Sequence, residues 1–183
     1  MSGMAILRIA RPGDAADIAA IYAPFVRDTA ISFEVNPPGT DEMLGRITST
    51  LATYPWLVAE SEGRVAGYAY ASQHRLREAY RWACDVAVYL SPDAQGKGFG
   101  SLLYTELLRI LASQGFRSAY GGIALPNAAS VALHEKMGFR HLGTYTQVGF
   151  KLGQWYDVGW WQRTLSAGAG VPGEVIPFAK WTG

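Results

Sequence analysis

At 183 residues, with 49% hydrophobic and 17% charged residues, the chain has the composition of one globular domain that buries a sizeable core, which excludes disorder as its main state. Lysine and arginine number 16 against 15 aspartates and glutamates, and this net charge of +1 gives no sign of a nucleic-acid partner and points to a small one. The single cysteine, Cys84, excludes an internal disulfide and reads as core packing, while the absence of a sustained apolar run in the N-terminal MSGMAILRIARPGD predicts a cytoplasmic location and no membrane partner.

Ala5 to Ala10 carries Ile6, Leu7 and Ile9 and reads as a short first strand, after which Arg11-Pro12-Gly13-Asp14 supplies a turn and a helix cap. The spacing of Ile18, Ile21, Tyr22 and Phe25 predicts a helix next. Thr29 to Gly39 contains Asn36-Pro37-Pro38-Gly39, so it is a loop, and it presents Phe33 and Glu34. A second helix opens at Thr40, with Leu44, Ile47 and Leu51 on one face. Trp56 to Glu60 and Val65 to Ala71 are apolar runs joined by Ser61-Glu62-Gly63-Arg64, which predicts an antiparallel hairpin. Gln73 to Arg81 is polar and holds His74, Arg75, Arg77 and Glu78. Trp82 to Leu90 then returns to aromatic and branched residues, a strand interrupted by Asp85.

From Ser91 to Leu111 a glycine-rich turn runs without a break into an amphipathic helix whose apolar face is Leu102, Leu103, Leu107, Ile110 and Leu111. Gly96, Gly98 and Gly100 permit positive φ and close approach of a ligand to the backbone, and the helix beginning near Phe99 directs unpaired N–H groups at the turn. Taken alone, the three glycines fit a pyrophosphate cradle and an ordinary strand-to-helix turn equally well. Gly115 stops the helix, Ser118 to Ala124 is a strand, and Pro126-Asn127 leads into a short helix with Val131, Leu133, His134 and Met137, closed by Gly138. Phe139 to Val148 and Gln154 to Thr164 form the last strands, with Gly149 to Gly153 between them, and residues 166–183, rich in glycine and proline, are an appended tail with little regular structure. One mixed sheet with helices on its faces accounts for the whole pattern.

Gln95-Gly96-Lys97-Gly98-Phe99-Gly100 matches the Q/R-x-x-G-x-G/A signature of the GNAT acyl-CoA-dependent N-acetyltransferases, and Leu125-Pro126-Asn127 through Gly138-Phe139 is similar to that family's second motif. Within the superfamily the chain most resembles the phosphinothricin and methionine sulfoximine acetyltransferases, over nearly all of Leu7 to Leu165, in stretches such as Tyr54-Pro55-Trp56-Leu57-Val58-Ala59-Glu60 and Asp157-Val158-Gly159. The resemblance implies a GNAT fold of α/β (α+β) class: a single mixed, mostly antiparallel sheet of about seven strands with helices on both faces, spanning residues 1–165 as one domain. It also implies acetyl-CoA as co-substrate, no metal, a small amine as acceptor, and a homodimer.

The same resemblance distributes roles. Gln95, Gly96, Lys97, Gly98, Phe99 and Gly100 would hold the pyrophosphate, Ala87, Val88 and Tyr89 the pantetheine arm, and Asn127 would touch the cofactor while capping its helix. Asp85 stands where the similar enzymes carry a glutamate general base; being one methylene shorter, it is expected to work through water or else to be a carboxylate satisfied by Arg81 or backbone N–H groups. His134 occupies the position of a residue that returns a proton to the CoA thiolate, although a packed, hydrogen-bonded histidine fits the helix face equally well. Arg75, Arg77 and Tyr80 would clamp a carboxylate and an oxyanionic side chain, and Phe33 and Glu34 would roof the acceptor site. The expected reaction is direct acetyl transfer to the α-amino group of a phosphinothricin-like or methionine sulfoximine-like amino acid. Acetylation of an ordinary amino acid or protein N-terminus, and a non-catalytic CoA-binding sensor, are the alternatives.

Overall fold

The apolar runs become seven strands: β1 (Ile6–Ile9), β2 (Trp56–Ser61), β3 (Arg64–Gln73), β4 (Ala83–Leu90), β5 (Ser118–Leu125), β6 (Arg140–Lys151) and β7 (Gln154–Thr164). The helices are α1 (Ala15–Asp28), α2 (Thr40–Leu51), α3 (Phe99–Gln114) and α4 (Ala128–Lys136). The computed structural model describes residues 6–183, so Ala5, the first residue of the predicted first strand, lies outside the described residues. The strands make one sheet in the order β1-β2-β3-β4-β5-β7-β6, and every neighbouring pair is antiparallel except β4 with β5.

Because side chains alternate along a strand, the sheet has two distinct buried faces. On one, Cys84, Val86 and Ala119 pack beneath Leu103, Tyr104, Leu107 and Leu111 of α3. On the other, Val58 and Tyr68 pack against Ile18, Tyr22 and Val26 of α1 and Met43 and Ile47 of α2. Asp85 and Cys84, adjacent on β4, therefore face opposite layers. Among the described residues no helix is long and apolar enough to cross a membrane.

Three local expectations change. Leu102 is exposed, and Tyr104 is fully buried in its place on α3. The stripe 103, 107, 110, 111, 114 keeps the i, i+3, i+4 spacing, and position 102 falls beside it. Asp14 precedes α1 but makes no side-chain cap bond, because its carboxylate accepts both guanidinium arms of Arg8 at 2.8 Å and the Arg11 N–H at 2.7 Å. The last connection is not a five-residue loop: β6 runs on through Gly149 to Lys151, and a two-residue turn, Leu152 (φ 49°) and Gly153 (φ 79°), leads into β7. Positive φ at both central residues is the turn whose twist matches a hairpin.

Residues 166–183 contain only one short 3-10 turn, Phe178–Lys180, yet they are tied to the domain. Phe178 is buried, its N–H donates to the Thr53 carbonyl, and Gln114, wholly buried at the end of α3, donates through Nε2 to the carbonyls of Thr53 and Ile176.

Candidate active site

β4 and β5 pair in parallel only at Ala83–Ser118, Cys84–Ala119 and Asp85–Tyr120. β4 continues to Leu90 against β3, and β5 continues to Leu125 against β7, with no pairing between them beyond Asp85. The two strands thus splay, and from Val86 onward the β5-facing edge of β4 offers unpaired backbone groups to any extended molecule laid in the wedge. Ala87, Val88 and Tyr89 line that edge, and Asp85 marks its apex.

At the open end stands the glycine turn. Gly96 (φ 73°) and Gly98 (φ 86°) adopt left-handed backbone, and Gly98 is the N-cap residue of α3. A Cβ at either would meet nothing within 4 Å, so conformation and not crowding demands glycine there, and the space in front of the turn is open. Gly100 is different: a Cβ there would come within 3.0 Å of Leu133, so this glycine lets α4 close on α3. The first-turn N–H groups of α3 have no intrahelical acceptor and point, with the positive end of the helix dipole, toward Gln95, Gly96 and Lys97. Across the wedge, Asn127 caps α4, its Oδ1 accepting from the Ser130 N–H at 3.2 Å. An open cavity of about 740 Å³ also lies behind the turn, between α1 and the β2–β3 hairpin; it includes Lys97 and Phe99 but not Asp85.

Asp85 is partnered neither by Arg81 nor by backbone. His74, just beyond the end of β3, places its Nδ1 2.6 Å from Asp85 Oδ1, a hydrogen bond in which an ionised carboxylate accepts. Burial pushes the Asp85 carboxyl above its ordinary range, against the downward pull of the His74 hydrogen bond and charge and of Arg75. The His74 ring stacks on Tyr120, centroids 4.3 Å apart, and meets Tyr80 and Trp160 edge-on. Arg81 instead pairs with Glu78 and Glu174 and lies over Trp82.

Arg75 is exposed, donates to the His74 carbonyl at 2.7 Å and sits 5.6 Å from the Trp160 ring. Arg77 and Tyr80 are exposed in the same connection. Phe33 lies on Gly149, where a Cβ would fall 2.2 Å from its ring, and faces Tyr156. Glu34 is spoken for: Arg46 donates two hydrogen bonds to its carboxylate and the Tyr22 hydroxyl a third, and Arg46 holds it below the usual carboxylate range. Lys151, buried, donates from Nζ to the carbonyls of Val26 and Ser32 and so fixes the loop that carries Phe33. Trp160 lies flat on Gly122, with its indole Nε1 buried and without a partner among the described residues.

His134 is buried against Gly121. Its Nδ1–H donates to the Ser130 carbonyl at 2.8 Å, which leaves Nε2 to accept from the Tyr104 hydroxyl at 3.1 Å, and burial lowers its pKa. No group of three or more metal-ligating side chains occurs among the described residues.

A sequence profile described as an acetyltransferase (GNAT) domain matches residues 7–160, most of the chain. The chain belongs to the GNAT acetyltransferase family. A phosphinothricin N-acetyltransferase of Streptomyces viridochromogenes is 44% identical over 156 residues, 84% of this chain and 85% of that protein. An L-methionine sulfoximine/L-methionine sulfone acetyltransferase of Salmonella typhimurium is 35% identical over 160 residues, 87% of this chain and 94% of that one. Among solved structures, a GNAT superfamily phosphinothricin acetyltransferase of Sinorhizobium meliloti in complex with AcCoA superposes with a TM-score of 0.90 at 38% identity, covering 98% of this chain and 99% of that chain. The seven-stranded mixed sheet with helices is the GNAT fold, and the protein is an acetyltransferase.

Proposed function

We propose that this GNAT enzyme transfers the acetyl group of acetyl-CoA directly to the α-amino group of a small amino-acid analogue of the phosphinothricin or methionine sulfoximine type. The observation that carries the reading is the wedge between β4 and β5, with a partnered carboxylate at its apex and a positive-φ glycine turn on a helix N-terminus at its mouth. When bound, acetyl-CoA supplies an activated acyl thioester. The backbone N–H groups of Gln95 to Gly100 hold its pyrophosphate, with Lys97 adding charge, and the free edge at Ala87, Val88 and Tyr89 takes the pantetheine arm like an added strand. Asn127, fixed as the α4 cap, borders the cofactor from the other side.

Arg75, Arg77 and Tyr80 meet the acceptor's carboxylate and oxyanionic side chain, and Phe33 and Trp160 give it an apolar wall. Glu34 serves by anchoring the Phe33 loop through Arg46 and Tyr22. Asp85 is the carboxylate on which removal of the amine proton depends. An acetyl-enzyme on Cys84 is disfavoured, because its thiol lies on the opposite face and burial pushes its pKa up. We assign His134 to holding α4 against β5 rather than to protonating the thiolate, since both ring nitrogens are engaged internally. The exposed Leu142, Tyr145, Val148, Phe150 and Trp155 on the edge hairpin β6–β7 suit burial against a second copy of the chain, which light scattering would reveal as a dimer mass.

Thiol release from acetyl-CoA, measured with a panel of amino acids and phosphinothricin, tests the reading. Amine-dependent turnover is expected, greatest with phosphinothricin or methionine sulfoximine. Release no faster than hydrolysis with every amine would contradict it and favour a CoA-binding sensor.

A further inference from the structure

The acetyltransfer reading leaves open which atom takes the amine proton. We propose that His74, through Nε2, is the general base, with Asp85 holding its tautomer and stabilising the cation it becomes. The inference rests on that reading and on four features of the site.

Asp85 is one methylene shorter than a glutamate, and its Oδ1 is already bonded to His74 Nδ1 at 2.6 Å. That bond fixes the proton on Nδ1, because an ionised carboxylate only accepts. Nε2, on the far edge of the ring from Asp85, then carries a lone pair and has no partner among the described residues. The ring is held in orientation by stacking on Tyr120, whose hydroxyl accepts from Gln162 Nε2 at 3.1 Å, so the imidazole is positioned from β5 and β7 as well as from β4. Finally, Asp85–Tyr120 is the last paired position before β4 and β5 part, so the dyad sits where the wedge opens. The groups facing it are Asp85 on β4, Arg75 and Tyr80 in the β3–β4 connection, Tyr70 on β3, Tyr120 on β5 and Trp160 on β7. Of these only Asp85 is a carboxylate, and it lies on the Nδ1 side.

The proton count closes. The acceptor arrives as an ammonium; His74 Nε2 takes one proton, giving an imidazolium paired with the Asp85 carboxylate, and the freed nitrogen lone pair forms the N–C bond to the acetyl carbon. The C–S bond breaks with its electron pair on sulfur, the second amine proton ends on that sulfur as thiol, and the imidazolium returns its proton to solvent. A nitrogen base oriented by a carboxylate is the same division of labour as in serine hydrolases.

Two measurements test it. Nitrogen-15 NMR of the three histidine rings, with His74 assigned by its loss in His74→Phe, should show a neutral His74 protonated on Nδ1 at pH 8. A bare Nδ1, or a doubly protonated ring at that pH, would overturn the proposal. In thiol-release assays with whichever amine the wild type acetylates, His74→Phe, which keeps the stack on Tyr120, should lower kcat by about tenfold or more while KM for acetyl-CoA holds. Adding Asp85→Glu to that variant should recover activity, because the longer carboxylate reaches the amine itself. A kcat loss under about tenfold, or no recovery with the glutamate, would overturn the assignment. A wild type inactive with every amine sinks the acetyltransfer reading and the base with it, whereas an active wild type matched by His74→Phe sinks the base alone.

Discussion

One buried and one half-buried histidine, His134 and His74, lie on opposite sides of β5, and they are wired differently. His134 gives its Nδ1 proton to the Ser130 carbonyl and accepts at Nε2 from Tyr104, so the ring is closed at both ends. His74, in the proposed tautomer, gives its Nδ1 proton to Asp85, and its Nε2 has no partner among the described residues. Burial alone does not make a histidine functional. A ring with both nitrogens satisfied contributes packing and hydrogen bonds, while one held at a single nitrogen by a carboxylate retains a basic site in a fixed direction.

The largest effect should come from breaking the open end. Asp85→Asn, which leaves the shape but removes the negative charge and offers an amide N–H that can donate to Nδ1 and select the other tautomer, is expected to cut kcat about 100- to 10,000-fold, with acetyl-CoA affinity by calorimetry unchanged. Next comes the donor side: Gly98→Ala forces a side chain into φ 86°, at roughly 1–2 kcal/mol, and should raise KM for acetyl-CoA by about tenfold with little change in kcat. The closed histidine should register mainly in stability. His134→Phe loses two buried hydrogen bonds and leaves the Tyr104 hydroxyl unpartnered, so denaturant unfolding should show a loss of about 1–3 kcal/mol.

The smallest effect is in pH dependence. Burial lowers the folded-state pKa of His134, so below about pH 6.5 the unfolded chain binds a proton that the folded protein refuses. Stability should therefore fall as pH drops from about 6.5 toward the folded value, and His134→Phe should flatten that slope. A variant with an unchanged slope would remove the basis for calling this ring neutral and closed.

Much of the fold was legible because it is written in local periodicity. The β2–β3 hairpin follows from Glu62-Gly63, both found at positive φ, and α3 and α4 start and stop at Gly98, Gly115, Asn127 and Gly138. What local reading missed depends on register between segments. The pairing of Ser72 with Asp85 brings His74 beside the carboxylate, but the intervening polar connection gives no turn signal that would fix that register from sequence. Arg81, nearer in sequence, looked the better partner and is drawn instead to Glu78 and Glu174. Gly149 read as a loop residue, yet its missing side chain is what admits the Phe33 ring onto β6. The tail's glycines and prolines concealed Phe178, which packs in the α3 core through contacts far apart in the chain.

The contrast between the two rings is tested most directly by measuring kcat for His74→Phe and His134→Phe side by side, following thiol release at saturating acetyl-CoA and phosphinothricin. The account expects His74→Phe to fall by about tenfold or more and His134→Phe to stay within about threefold of the wild type. The reverse order would contradict it, returning the proton chemistry to α4 and leaving the His74–Asp85 pair a structural ion pair.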